Sequence, residues 1–421
     1  MSVALVSAVD PYPTDAGKKI VLAGFLDYFT DRYGPDKVHY IKVGAAPQLD
    51  FPVNLHQVPG PSRAAVIGNL ATRVATGRAS LQEAFLRSRR TGRAISRIIG
   101  EIRPQLQVYD TVRMAQYVPA SVAAQQICYL DDLFSERYDR QLKAAERFPD
   151  VDSSPLAAFA EHVPRLIQPL ADNRTSRTAL LRAERTLVRR SEDRVARRFR
   201  RCLLVNQGEV DILTRRAGVP PGRVQCVPPL LRASAAQERR YAGAPAFVFV
   251  GLLSLPHNDD GLRWFLRTVW PIVLTRLPAA RLRVIGRYAG SDVLELAGHH
   301  AGSVAVDGYV PDLGDALGTA AALINPLRFG SGIKLKVIEA LGHSLPVVST
   351  PVGAEGIASG SGTGVLVGTE PAEFAELLCS LTEPARNAEY SEAAREHFAS
   401  TYSRQAVFAA YDTAFSLAGA H

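Results

Sequence analysis

Short runs of apolar residues alternate along the chain with longer stretches in which apolar residues recur every three or four positions. In the first half, the apolar runs predict strands at 3–9, 38–43, 106–109, 126–129 and 202–206, and the periodic stretches predict helices at 18–32, 81–103 and 179–198. Strands that are apolar throughout are typical of parallel sheets covered by helices on both faces.

The second half repeats this alternation. Its predicted strands are 246–250, 281–285, 304–306, 321–325 and 346–349, and its predicted helices include 261–277, 332–341 and 371–381. Residues 228–245 between the halves are rich in Ala, Arg and Pro and show no period, whereas 139–176 resembles a less regular insertion. A chain of 421 residues suits two domains. We therefore predict two doubly wound α/β domains, at 1–235 and 236–398.

Composition restricts the class of protein further. With 47% hydrophobic and 21% charged residues, the chain is typical of globular proteins. Its four cysteines are scattered without a C-x-x-C pair, which disfavours disulfides and zinc knuckles and favours a reducing compartment. The start, MSVALVSAVDPYP, indicates an opening strand rather than a signal peptide, and no apolar run reaches the length of a membrane span. We expect a cytoplasmic protein.

The formal net charge of +8 is concentrated in the arginines of the N-terminal half. They occur at positions 87, 89, 90, 93 and 97, and again at 182–201, which holds nine arginines against three acids. One interpretation is a solvated helix face, and the other is attraction to an anionic membrane or a phosphorylated acceptor. No nucleic-acid-binding module accompanies these arginines, so we expect no nucleic-acid partner.

The segment 321–350, AALINPLRFGSGIKLKVIEALGHSLPVVST, carries the clearest chemistry. A buried strand ends at Pro326, the turn Gly330-Ser331-Gly332 follows, and a helix is predicted to open directly from Gly332. Glycines allow close approach of an anion, and a helix N-terminus attracts negative charge. The pattern therefore predicts a diphosphate site at the carboxyl end of a strand.

Helical spacing adds a carboxylate and a lysine to this site. Glu339 lies seven residues after Gly332, on nearly the same face and about 10 Å further along the axis, which suits the ribose of a nucleotide. Lys336 lies between them on that face and is placed to neutralise a diphosphate, whereas Lys334 points further round. The alternative is that Glu339 and Lys336 only pair with each other at i, i+3.

These motifs resemble the donor domain of the group 1 (family 4) retaining glycosyltransferases of the GT-B fold. The stretches FVFVGLLSLPHNDDGLRWF, VDGYVPDLGDAL and NPLRFGSGIKLKVIEALGHSLPVVST occur in the family's order, and DPYPTDAGKKI matches its first glycine-bearing loop. The resemblance implies two Rossmann-like domains facing across a cleft, with a C-terminal helix at 399–421 that returns to the N-terminal domain. It implies transfer of a sugar from a nucleotide-diphosphate sugar to an acceptor hydroxyl with retention of configuration, without a metal or other cofactor.

The resemblance also implies roles for individual residues. Glu339 matches the ribose ligand, and Ser331 stands where the family commonly has a further acid. Lys336 matches a basic position that acts on the leaving diphosphate, and it is one of two candidate catalytic residues. The remaining donor-binding candidates in the second half are Gly251, Gly286, Arg287, Tyr309, Val310, Arg328, Gly330, Gly332, Ile333 and Lys334.

In the first half, Gly17 resembles the family's close-approach glycine, and Lys18 is a candidate to assist it. The family often has a histidine after the strand at 106–109, where this chain has Asp110, the second catalytic candidate. Asp131 and Asp132 either orient the acceptor or cap a helix. The histidines show no metal-ligand spacing and are interpreted as surface or packing residues.

Two other functions fit the same residues. The Ser331 position and the missing histidine allow a catalytically silent partner protein with this fold, and a sugar-nucleotide epimerase shares the architecture. The sequence leaves the base, the sugar and the acceptor open. A lipid-linked or anionic acceptor at the inner face of the membrane follows from the arginine-rich first half.

Overall fold

A computed structural model describes residues 1–14, 16–47, 51–119, 124–147, 174–231 and 239–416. Packing divides the chain into two units. The first contains Met1–Lys143, Ser154–Leu230 and Val407–His421, and the second consists mainly of Leu231–Ala406. The predicted domain boundary at 235 and most of the predicted insertion at 139–176 lie outside the described residues.

The first unit is built on a parallel sheet in the order β3-β2-β1-β4-β5-β6-β7. Its strands are β1 (Val3–Ser7), β2 (Val38–Val43), β3 (Asn54–Val58), β4 (Leu106–Asp110), β5 (Gln125–Asp131), β6 (Arg201–Leu204) and β7 (Val224–Cys226). The central strands β1 and β4 are buried along their whole length, as expected of a sheet covered on both faces.

Helices join these strands. They are α1 (Gly17–Tyr33), α2 (Arg63–Asn69), α3 (Leu81–Leu86), α4 (Arg89–Ile102), α5 (Thr111–Ala115), α6 (Phe134–Arg147), α7 (Arg174–Arg198) and α8 (Gln207–Ala217). The last helix of the chain, Arg404–Phe415, also packs on this unit. Its Asp412 accepts a hydrogen bond from the Tyr28 hydroxyl at 2.9 Å, and Tyr411 packs edge-on against Phe25 of α1.

The second unit has a parallel sheet in the order β10-β9-β8-β11-β12-β13. Its strands are β8 (Ala246–Val250), β9 (Arg281–Ile285), β10 (Val304–Gly308), β11 (Ala322–Asn325), β12 (Val347–Ser349) and β13 (Val365–Val367). Its helices are α9 (Pro256–Trp264), α10 (Trp270–Arg276), α11 (Ser291–His299), α12 (Gly314–Thr319), α13 (Leu335–Gly342), α14 (Pro371–Ser380) and α15 (Pro384–Thr401), and the helix Arg404–Phe415 of the first unit is α16.

Each sheet contains one position where the chain reverses the direction in which strands are added. In the first unit this switch lies between β1 and β4, and in the second between β8 and β11. Loops that leave neighbouring strands in opposite directions open a crevice at the carboxyl edge of a parallel sheet, where ligands bind. The two switch points therefore indicate where functional residues should gather in each unit.

The predicted α/β fold with two doubly wound units is confirmed, and three predicted helices are corrected. Residues 81–103 form two helices because Ser80 and Ser88 each cap a helix start with a side-chain hydrogen bond. The helix predicted at 261–277 begins earlier, at Pro256, and contains a π-helical turn at Phe265–Val269. The helix predicted to start at Gly332 begins at Leu335.

Candidate active site

The loop between β11 and α13 lies at the switch point of the second unit. Gly330 in this loop has a φ of 136°, which only glycine adopts without strain. Gly332 has a φ of 72°, a left-handed conformation that glycine favours. Lys334 occupies the N-cap position of α13 in an extended conformation, and its Nζ donates to the carbonyls of Ser331 at 3.1 Å and Gly332 at 2.6 Å. Lys334 thus places a positive charge on the glycine loop, and α13 begins at the next residue, Leu335.

Lys336 lies in the first turn of α13 and faces the end of β8 and the start of α9. Its Nζ donates to Asn258 Oδ1 at 2.9 Å and lies 4.4 Å from the centroid of the Phe249 ring. Asn258 in turn donates to the carbonyl of Leu252 at 2.9 Å. Burial lowers the pKa of Lys336 to about 7, and the nearby charge of Lys334 contributes. Lys336 is therefore an ammonium group whose charge an anionic ligand would stabilise.

Glu339 lies one turn further along α13 and is partly buried. Its carboxylate makes no hydrogen bond or ion pair with any residue in the described part of the chain, and burial raises its pKa. The alternative of a pair with Lys336 is not formed, because the Lys336 amine bonds to Asn258 instead. A carboxylate that is half withdrawn from water and lacks a protein partner is a ready acceptor for ligand hydroxyls.

His257 is a further candidate site residue, which the sequence analysis did not single out. It lies at the start of α9, directly after the loop from β8, and a Cβ added to Gly330 would lie 3.9 Å from its side chain. Burial, together with the charges of Lys336 and Lys334, lowers its pKa to about 4, so the ring is neutral at pH 7. The sequence predicts a surface or packing role for the histidines, whereas the position of His257 directly after the switch-point strand β8 was the signal for a place in the site.

Arg328 is held differently from the prediction that it meets the phosphates. Its Nε donates to Asp260 Oδ2 at 2.9 Å, and its Nη2 bonds the other oxygen of the same buried carboxylate. This two-point ion pair already neutralises the guanidinium and joins the loop to α9. Lys334 at the end of the glycine loop and Lys336 in the first turn of α13 are therefore the cations that remain suited to bind a diphosphate.

The remaining candidates of the second unit follow β8, β9 and β10. A Cβ on Gly286 would lie 1.8 Å from the carbonyl oxygen of Gly251, so Gly286 is required for the close approach of the two strand ends. The Arg287 guanidinium lies 4.0 Å from the centroid of the Tyr309 ring, and Tyr309 is 61% exposed. This edge thus presents a flat aromatic surface with a cation over it.

Val310 and Ile333 have a packing role. Both side chains are partly buried and contact the apolar cluster that contains Val337 and Ile338 of α13. Their packing fixes the loop before α13 and the loop after β10 on the same core.

In the first unit, three charged residues meet at the switch point. The Lys18 Nζ lies 2.7 Å from Asp110 Oδ1 and 4.0 Å from Asp131 Oδ2, and Ser7 donates to Asp110 Oδ2 at 2.6 Å. Gly17 is the first residue of α1, and Lys18 follows it. Asp110 is buried with both oxygens engaged, so it is placed to hold Lys18 rather than to contact a substrate directly.

The two acids after β5 have separate environments. Asp131 has a left-handed φ of 71° and accepts a hydrogen bond from the Tyr129 hydroxyl at 2.7 Å. Burial raises its pKa, although Lys18 opposes that shift. Asp132 is buried and accepts a hydrogen bond from Arg137 Nε at 2.9 Å. Asp131 is therefore the acid that belongs to the switch-point cluster.

No group of three or more His, Cys, Asp or Glu side chains within the described ranges is placed to hold a metal ion. Among the helices in those ranges, none combines the length and apolarity needed to cross a bilayer.

Part of the chain is similar in sequence to known proteins. Residues 244–383 match the family model of glycosyl transferases group 1. An uncharacterized 44.6 kDa protein in the cps region of Klebsiella pneumoniae is 27% identical over 142 residues, which cover 32% of this chain and 37% of that protein. The chain thus matches little more than a third of that relative's length.

Solved structures match almost the whole chain. A mutant of S. aureus TarM, complexed with fondaparinux, alpha-GlcNAc-glycerol and UDP, superposes with a TM-score of 0.61 at 9% identity, covering 99% of this chain and 100% of TarM. WaaG, a glycosyltransferase involved in lipopolysaccharide biosynthesis, superposes with a TM-score of 0.54 at 15% identity, covering 99% and 100%. At these identities the likeness shows the fold. The chain therefore has the GT-B fold of these structures, and residues 244–383 of its second unit match the group 1 glycosyl transferase model.

Proposed function

We propose that the protein transfers a sugar from a nucleotide-diphosphate sugar to an acceptor hydroxyl, with retention of anomeric configuration. The observation that supports it most directly is Glu339, a partly buried carboxylate without a partner among the described residues, on the helix that follows the glycine loop. We assign this carboxylate to the two ribose hydroxyls of the donor. The glycine loop and Lys334 then face the diphosphate.

The chemistry rests on stabilising the leaving group. When the bond between sugar and diphosphate breaks, negative charge grows on the diphosphate, and a cation held nearby lowers the energy of that transition state. Lys336 is held by Asn258 in the first turn of α13 and is suited to this role. In the first unit both oxygens of Asp110 are engaged by Lys18 and Ser7, which disfavours Asp110 as a general base. A mechanism in which the acceptor attacks on the face that the diphosphate leaves needs no strong base.

The lysines lead us to propose that no metal is needed. Activity measured with EDTA should equal activity without it, and restoration of activity by added Mg²⁺ after EDTA treatment would contradict this proposal.

The test of the donor site is nucleotide affinity. We expect calorimetric titration with UDP, GDP and dTDP to find one nucleotide that binds wild-type protein, and UDP is tried first because the TarM structure contains it. Glu339→Gln should weaken that affinity about tenfold or more, because it removes a charge from hydrogen bonds to the ribose. Glu295→Gln, at an exposed position of α11, is the matched control and should leave the affinity unchanged. Equal affinity in wild type and Glu339→Gln would refute the assignment.

We also propose that the acceptor is anionic or lipid-linked and that the enzyme meets it at the cytoplasmic face of a membrane. The support is the row of exposed arginines on α4 at positions 89, 90, 93 and 97. Anionic headgroups and phosphate-bearing acceptors attract such a row.

A silent partner protein stays the second candidate, because Ser331 replaces an acid. Hydrolysis or transfer of a nucleotide sugar would exclude it, and inversion at the sugar's second carbon would indicate an epimerase instead.

A further inference from the structure

A cavity of about 890 Å³ lies in the first unit, at the amino-terminal ends of β4 and β5. The Lys18–Asp110 cluster lies at the carboxyl end of the same strands. Since β4 has five residues, the two ends are about 16 Å apart. The cavity is therefore separate from the edge where the switch-point residues gather.

Among the described residues, the charged groups that line the cavity are all cations. Three arginines contribute, and no Asp or Glu is among the described lining residues. The side chains of Arg103 and Arg200 make no hydrogen bond or ion pair with any residue that the structure describes, whereas Arg198 Nη2 donates to the carbonyl of Val118 at 2.9 Å. Two guanidinium groups at one cavity thus lack a counter-charge within the described part of the chain.

A buried amide provides a second, independent observation. Gln107 is fully buried and lines the cavity, and its Oε1 accepts from the Tyr109 hydroxyl at 2.8 Å and from Gln126 Nε2 at 3.4 Å. These two donors fix the orientation of the amide. Its Nε2 then has no hydrogen-bond acceptor among the described residues. Buried N–H groups without an acceptor are rare in native proteins and call for an explanation such as a ligand oxygen.

We propose that this cavity binds a phosphate-bearing small molecule of the size of a sugar phosphate. Guanidinium groups and the Gln107 N–H are hydrogen-bond donors only, so they converge on a ligand that is rich in acceptors and negative. Arginine forks match phosphate geometry, and the volume lies within the range of small-molecule sites. The ligand binds in addition to the donor nucleotide, because the cavity contains neither Glu339 nor the lysines of α13.

The test is calorimetric titration of the full-length protein with glucose 6-phosphate and, separately, with inorganic phosphate. The double variant Arg103→Asn, Arg200→Ser should lower the affinity at least about tenfold, since it removes two charged hydrogen-bond donors. Asn is chosen at position 103 because the backbone there is left-handed, with φ of 49°. Arg200→Ser alone, at an exposed position, gives a milder variant with an intact α4.

Two controls separate this site from other effects. Arg97→Ser removes an exposed arginine of α4 that pairs with Glu101 at 3.8 Å, and it should leave the affinity unchanged. Lys336→Met should also leave it unchanged, because Lys336 belongs to the second unit. Stronger binding of glucose 6-phosphate than of phosphate identifies a sugar phosphate, and equal binding identifies phosphate alone. Absence of binding by wild type, or a loss caused by Lys336→Met and not by the arginine variants, would overturn the proposal.

Discussion

Glu339 and Lys336 lie on the same short helix. Both side chains are partly buried, and neither forms an ion pair with any described residue. Burial favours the neutral form of both groups, raising the pKa of Glu339 and lowering that of Lys336. A ligand with ribose hydroxyls and a diphosphate reverses both effects, because it offers donors to the carboxylate and negative charge to the amine. The nucleotide of the proposed function would therefore supply the partners that both side chains lack among the described residues.

The pKa of Lys336, at about 7, predicts a pH-dependent nucleotide affinity. Near pH 7 only about half of the Lys336 side chains carry a proton, and a bound diphosphate favours the charged form. Affinity should therefore fall as pH rises above 7, by up to about tenfold per pH unit, until the pKa in the complex is reached. Calorimetry in buffers of different ionisation enthalpy should show proton uptake on binding in this range.

The control for this prediction is Lys336→Met, which keeps the length of the side chain and removes the titrating amine. Its nucleotide affinity should be weaker than that of wild type at pH 7 and nearly constant above that pH. Turnover should fall strongly in the same variant. If Lys334→Ala loses activity while Lys336→Ala does not, the amine that acts on the leaving group is Lys334.

At the scale of elements, the loop between β11 and α13 depends on its glycines. Gly330→Ala forces a residue with a Cβ to adopt φ of 136°, which costs on the order of 1–3 kcal/mol of strain. We expect a lower midpoint of thermal unfolding and weaker nucleotide binding, because the loop relaxes away from the conformation that faces the diphosphate. Differential scanning calorimetry and nucleotide titration measure the two effects.

The matched control is Gly298→Ala in α11. Gly298 has no positive φ, and a Cβ there would meet no atom within 4 Å. Alanine is the better helix former by about 1 kcal/mol, so this variant should be as stable as wild type or more stable. A Gly330→Ala protein that unfolds and binds nucleotide like Gly298→Ala would show that the loop does not need its special backbone.

The elements that were predicted correctly from sequence are those whose signal is local. The strands at 38–43, 246–250 and 281–285 are apolar runs with clear ends, and the structure has the same bounds. Strand β3 escaped prediction because it lies at the sheet edge with mostly exposed side chains. The break between α3 and α4 was missed because apolar spacing continues across the capping residue Ser88.

The candidate site likewise has a part that the local sequence predicts and a part that it does not. The glycine loop, Glu339 and Lys336 share one short segment, so spacing along the chain sufficed to connect them. The partners Asn258 of Lys336 and Asp260 of Arg328 come from another strand–helix unit 78 and 68 residues away. Such long-range pairs depend on which strands become neighbours, and no local pattern specifies that.

At the scale of the whole molecule, both units follow one strand order but carry charge differently. The arginines of the first unit form two groups. Several on α7 have structural partners, as Arg185 pairs with Asp139 at 3.0 Å and Arg194 lies 3.7 Å from Glu83. On α4, positions 89, 93 and 97 form one exposed row opposite the buried Ile95 and Ile99, and Arg97 of this row also lies 3.8 Å from Glu101. The interpretation as a solvated helix face thus does not account for the paired arginines of α7. The proposed attraction to a membrane rests on the exposed arginines of α4.

Binding to anionic vesicles tests the proposed attraction of α4 to a membrane. Vesicles with about one-third anionic lipid should bind wild-type protein at low salt and release it as salt rises, since the Debye length falls from about 30 Å at 0.01 M to about 3 Å at 1 M. Replacing the exposed arginines of α4 at 89, 90, 93 and 97 by glutamine should abolish flotation, because each is worth about 1 kcal/mol near such a surface.

The control replaces four exposed arginines of the second unit, at 267, 276, 281 and 386, and removes the same net charge. If both variants lose binding equally, net charge and not the α4 surface is responsible. Flotation that ignores lipid charge and salt would instead favour an acceptor dissolved in water.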